Sequence, residues 1–86
     1  MSTIVLEMNP YEVIRTYRDG DLITWKVELG FLWQEHTEKM LELLASVMVE
    51  GFKEPITIGN DGRIWDGHHR IGVALALGID VPVIFA

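Results

Sequence analysis

Between Thr37 and Glu50 the apolar residues Met40, Leu41, Leu44, Val47 and Met48 recur at three- and four-residue spacing, while Glu38, Lys39, Glu42 and Glu50 fall elsewhere on the wheel. That pattern predicts an amphipathic helix over 37–50. Thr37 is placed to cap it, Glu38 suits its first turn, and Gly51 is placed to stop it. A second helix is predicted over His68–Leu77, ended by Gly78, and it is apolar almost all round (Ile71, Val73, Ala74, Leu75, Ala76, Leu77). A helix without a polar face is buried on several sides or covered by a partner.

The strand signals are shorter. Thr3–Met8 reads as a strand broken by Asn9-Pro10, since proline lacks a donor and restricts the residue before it. Tyr11–Tyr17 suits a helical turn closed by Asp19-Gly20, a strong turn signal. Pro55–Ile58 and Arg63–Asp66 flank Asn60-Asp61-Gly62 as a hairpin, and Val81–Phe85 is a nearly all-apolar strand. Residues 21–36 mix β-branched and aromatic side chains around Gly30 and are compatible with strand, helix or both. The expected fold is a compact single-domain α+β, with a small mixed sheet and two main helices at 37–50 and 68–77.

Composition narrows the function classes. The 86 residues are 49% hydrophobic, enough for one small core and too apolar for disorder. There is no cysteine, which removes disulfides, thiolate zinc sites and thiol chemistry. Seven Lys/Arg stand against 13 Asp/Glu, and the basic residues are scattered singly, so autonomous binding to duplex DNA is not expected. No stretch approaches the roughly 20 apolar residues that span a bilayer. The start, MSTIVLEMNP, shows no secretory leader, and a cytoplasmic location is expected.

The segment Gly67-His68-His69-Arg70 sets three basic side chains where a helix begins, an end that ordinarily favours acidic groups. Either they are solvated and incidental or an anion belongs there. Gly67 allows close backbone approach, the first-turn amides point outward, and Arg70 can offer a bidentate fork with His69 as a further donor. Asp66 and Arg15 are candidate supporting residues. The structural alternative pairs Arg70 with Asp66 or Glu54. A metal held by Asp66, His68 and His69 is disfavoured, because neighbouring helical residues point about 100° apart. His36 stands alone and is expected to be a solvated surface residue.

The run from Leu43 to Val83 resembles the core of the ParB N-terminal/sulfiredoxin-like superfamily. The matching residues are Leu43, Ser46, Val47 and Gly51, then Pro55-Ile56, then Gly67, His69 and Arg70, and finally Ala74, Leu77-Gly78 and Val81-Pro82-Val83. Upstream, Asn9, Pro10 and Arg15 resemble that family's N-P-(Y/W)-x(3)-R segment. The resemblance implies a nucleotide or phosphate at the Gly67–Arg70 helix start, with a nucleoside triphosphate, with or without magnesium, as the ligand class. It also brings departures. No counterpart of the downstream Asn/Arg nucleotide motif, helix-turn-helix or dimerisation region of partitioning ParB proteins occurs in these 86 residues. His68 stands where sulfiredoxins carry their catalytic cysteine, so sulfinic-acid reduction is not expected. No carboxylate cluster supports a nuclease, and no catalytic residue can be named.

Residues 19–36 match nothing in that pattern. Their Trp25, Phe31 and Trp33 belong either to the core or to an interface with a protein partner or a second copy. Two functional classes follow. One is a phosphate- or nucleotide-binding module acting through a protein partner, with a nucleotide-dependent enzyme as its less favoured form. The other is a catalytically inert, stripped-down relative of the phage or mobile-element type, binding a host protein through the aromatic segment.

Overall fold

A computed structural model describes residues 5–19 and 24–86. The chain forms β1 (Leu6–Met8), α1 (Pro10–Thr16), β2 (Arg18–Asp19), α2 (Trp25–Glu35), α3 (Thr37–Glu50), β3 (Ile56–Ile58), β4 (Arg63–Asp66), α4 (His68–Leu77) and β5 (Val81–Phe85). The strands make one mixed sheet in the order β1-β5-β3-β4-β2. β1–β5 and β3–β4 are antiparallel, whereas β3–β5 and β2–β4 are parallel. The compact α+β domain expected from the sequence is present, but with four helices among the described residues rather than two. The beginning of the strand expected at Thr3, and Gly20 of the expected turn, lie outside the described residues.

Local chemistry accounts for the added helices. Asn9 caps α1 by accepting from the Tyr11 amide at 2.8 Å, and Pro10 occupies the first helical position, where its missing N–H costs nothing. Thr24 caps α2, its hydroxyl accepting from the Val27 amide at 3.4 Å. The segment around Gly30 is therefore helix, and Gly30 sits on its open side. Its sequence was ambiguous because α2 buries only Leu32 and the Glu28 side chain fully, with Leu29 and Trp33 half-covered.

The expected cap of α3 requires a correction. His36, not Thr37, takes the cap position, and it does so without a side-chain cap bond. The Thr37 hydroxyl instead donates back into α2, to the carbonyls of Trp33 at 2.6 Å and Gln34 at 3.2 Å. The two helices thus join at a one-residue corner, with His36 at its apex.

Two apolar clusters meet across α4. Ile71 and Ala74 pack with Val13, Ile56, Ile58, Ile64, Val81 and Val83 of α1 and the sheet. Val73 faces the other way, toward Leu32, Met40 and Val47 of α2 and α3. The all-round apolarity of α4 is thereby explained inside the fold, without a partner. At Gly72 an added Cβ would lie 2.6 Å from the Met40 methyl and 3.8 Å from the Trp33 indole nitrogen, so glycine lets α2 and α3 approach α4 closely.

A bulge between β3 and β4 pairs Thr57 with Asp66 but Ile58 with Ile64, leaving Trp65 as the extra residue. Both Trp65 and Asp66 consequently face outward, and the Trp65 indole lies over Gly59 while donating to Asp61 at 3.1 Å. The two-sided burial of α4 makes a direct prediction. Ile71→Ala should lower unfolding free energy by about 2–5 kcal/mol. Val49→Ala on α3, where the side chain is 85% exposed, should change it by less than about 0.5 kcal/mol. Urea denaturation of the two variants measures both.

Candidate functional site

The bulge delivers the chain to Gly67, which caps α4 with φ 105°. Its Cα sits against β3. A Cβ there would lie 2.8 Å from Ile56 Cβ and 3.0 Å from Ile56 Cα, so both the backbone angle and the packing require glycine. No side chain caps α4, and its first turn holds no acidic residue. The first-turn amides of a helix have no partner within the helix. Beside this end lies a cleft of about 440 Å³, walled by Gly67, His69 and Arg70 on one side and by Lys39, Glu42 and Leu43 of α3 on the other, with Asp66 at its edge.

Arg70 is held from three directions. One guanidinium nitrogen donates to the Pro55 carbonyl at 3.2 Å, another meets the Glu54 carboxylate at 2.9 Å, and Asp66 approaches to 3.7 Å. The Arg70 side chain is 21% exposed, whereas both carboxylates are largely solvent-facing. The pairing of Arg70 with Glu54 and Asp66 that was one reading of the sequence is therefore present in the fold.

The two adjacent histidines have different surroundings. His68 is half-buried with its ring 5.6 Å from the Trp25 indole. His69 points toward the α2–α3 corner, where its Nε2 lies 3.0 Å from Nδ1 of His36. The two rings are within 8° of parallel, and the edge of Phe31 rests on His36. The expectation that His36 is a lone solvated residue is overturned. Folding couples it to a residue 33 positions away, and no local pattern carries that signal. Burial, then the nearby charges of Lys39, His36, His68 and Arg70, hold the His69 imidazole below the usual histidine value of 6.5. The His69 ring is thus biased toward its neutral form near pH 7, and the permanent positive charges at this end are Lys39 and Arg70.

Other candidate residues lie apart. Arg15 pairs with Glu12 at 3.0 Å on the exposed side of α1 and does not line the cleft. Trp25 is packed against the sheet-side core and donates from its indole to the Tyr17 carbonyl at 2.7 Å. Trp33 is packed against the other cluster. Phe31 is 49% exposed, with Val27 exposed one turn before it. Among the described residues no three His, Asp or Glu side chains converge on a point that could hold a metal ion. None of the described helices is long and apolar enough to cross a membrane. Because the chain has no cysteine, sulfinic-acid reduction of the sulfiredoxin type is excluded.

Comparison of the chain with protein-family models, with curated proteins and with solved structures returns no match.

The geometry at Gly67 is open to test. Gly67→Ala forces a left-handed backbone on alanine and drives its methyl into Ile56, with an expected destabilisation of about 3 kcal/mol or more. Gly30→Ala, in open space on α2, should be neutral or stabilising by up to about 1 kcal/mol. Thermal and urea unfolding of the pair separates the two outcomes.

Proposed function

We propose that the cleft at the start of α4 binds the phosphate of a nucleotide or related ligand, with or without magnesium, and that the domain acts through a protein partner. The observation that carries this reading is an uncapped helix N-terminus opening into a cleft walled by Lys39, His69 and Arg70. Helix amides and dipole favour an anion at this position, and an arginine can grip it through two nitrogens. Glu54 and Asp66 are exposed, so an incoming phosphate competes with them in water for the guanidinium. The resemblance to the ParB N-terminal/sulfiredoxin-like superfamily supports the same ligand class through Gly67, His69 and Arg70.

A second reading, of an inert interaction module, is favoured by the exposed Val27–Phe31 pair on α2. Under it Phe31, rather than the core-packed Trp25 and Trp33, contacts the partner. Net charge −6 favours a protein over duplex DNA for that role.

Thermal denaturation with ATP, CTP, GTP and pyrophosphate distinguishes the readings. A ligand at ten times its Kd adds about 1.4 kcal/mol to the native state, and a domain of this size gains roughly 4–8 °C per kcal/mol. Phosphate binding predicts an upward shift that Lys39→Ala weakens and Arg70→Ala abolishes. If no nucleotide or pyrophosphate raises the melting temperature at millimolar concentration, the phosphate reading fails and the interaction reading stands.

A further inference from the structure

The hydrogen bond between His36 and His69 ties the corner joining α2 and α3 to the first turn of α4. The corner itself is braced by the Thr37 hydroxyl, which donates back to two carbonyls of α2. The imidazole pair therefore joins two preformed pieces at one point. A hydrogen bond between imidazoles needs a proton on one facing nitrogen and a lone pair on the other. One added proton on the pair leaves that arrangement intact. A second fills the remaining lone pair, so two N–H groups and two positive charges face each other at 3.0 Å.

We propose that this bond is a proton-operated latch: loading both imidazoles with a proton breaks it and releases the α2–α3 corner from the start of α4. The surroundings oppose the second charge. α3 brings Lys39, and α4 itself brings His68 and Arg70, all three raising the cost of a cation at His69. Carboxylates also border the pair: Glu42 and Asp66 share the cleft with His69, while Glu35 and Glu38 share a groove with His36. α2 further carries the buried Glu28. On α1, Glu12 and Arg15 pair with each other, and β3 and β5 have no ionisable side chain.

Because the fold holds His69 below its ordinary value, the stability due to its neutral form is fully present above pH 6.5. It is lost as the pH falls from 6.5 through the lower native value. The latch is thus closed at neutral pH and opens on acidification. Opening does not melt α2, which remains fastened through Leu32 and its neighbours. It loosens the corner and the packing of Trp33 beside α4, where the indole nitrogen lies near enough to Gly72 to meet an added Cβ at 3.8 Å.

The test is an NMR titration of the full chain from pH 7.5 to 4.5, following the histidine rings, the Trp33 indole N–H and the amides of residues 34–37. The expected result is two separated titration steps shared by His36 and His69. The Trp33 signal and the corner amides should shift with the second step. In His36→Asn, which keeps a polar partner that does not titrate, and in His69→Gln, the Trp33 signal should stay constant over that range. Independent single-step titration of the rings, an unmoved Trp33 signal in the wild type, or the same movement in both variants would overturn the latch. The wild-type titration decides the matter even if a variant does not fold.

Discussion

Helix α4 is buried from both sides over Ile71–Ala74, and the rest of the molecule is arranged to cover it. Ile71 and Ala74 close onto the sheet and α1, whereas Val73 closes onto α2 and α3. Fully burying a side chain of this size stabilises a fold by about 1.5–3 kcal/mol. In a chain of 86 residues few other elements can offer two such faces. The sheet alone would leave one face of α4 in water. The helical pair α2–α3 removes that exposure, and Gly72 lets Met40 come close enough to fill the space.

Placing α4 in the interior determines where its N-terminus emerges. Gly67 must turn the chain from the bulged end of β4 against Ile56, and only a residue without Cβ can pass. The turn leaves the helix start at the border between the sheet-side layer and α3, beside Lys39 and Glu42. An apolar helix thus has its polar end at a seam between layers. There the partial positive charge of the helix meets side chains from elements distant in sequence.

The balance of charge at this seam is set by neighbours rather than by residue type. Three potentially cationic side chains in a row would give an electropositive end. In the fold, Arg70 is partly neutralised by Glu54 and Asp66, and His69 is held toward neutrality by burial and by Lys39. His68 turns inward against Trp25. The end is therefore a mixed polar cleft and not a dense cationic patch. Under the phosphate reading proposed above, such a cleft would hold a small, hydrogen-bonded anion rather than an extended polyanion such as DNA.

The sequence by itself determined what depends on neighbours along the chain. The 3.6-residue periodicity of 37–50, the Asn60-Asp61-Gly62 hairpin, the glycine stops at Gly51 and Gly78, and the apolar strand at 81–85 all act through local geometry, and all were readable in advance. So was the α+β class, while the all-round apolarity of α4 left open burial on several sides or cover by a partner, and packing decided for the first. The helical state of 25–35 was not readable, because its β-branched and aromatic residues suit either conformation. Packing against α3 and α4 selects between them. Thr37 carried a true cap signal that the preceding helix diverted to its own carbonyls. The pairing of Arg70 with Glu54 or Asp66 was one of the readings open to the sequence, whereas the His36–His69 bond and the Arg70–Pro55 bond belong to tertiary structure alone. These join groups 33 and 15 residues apart, and no spacing rule along one helix or strand reaches that far.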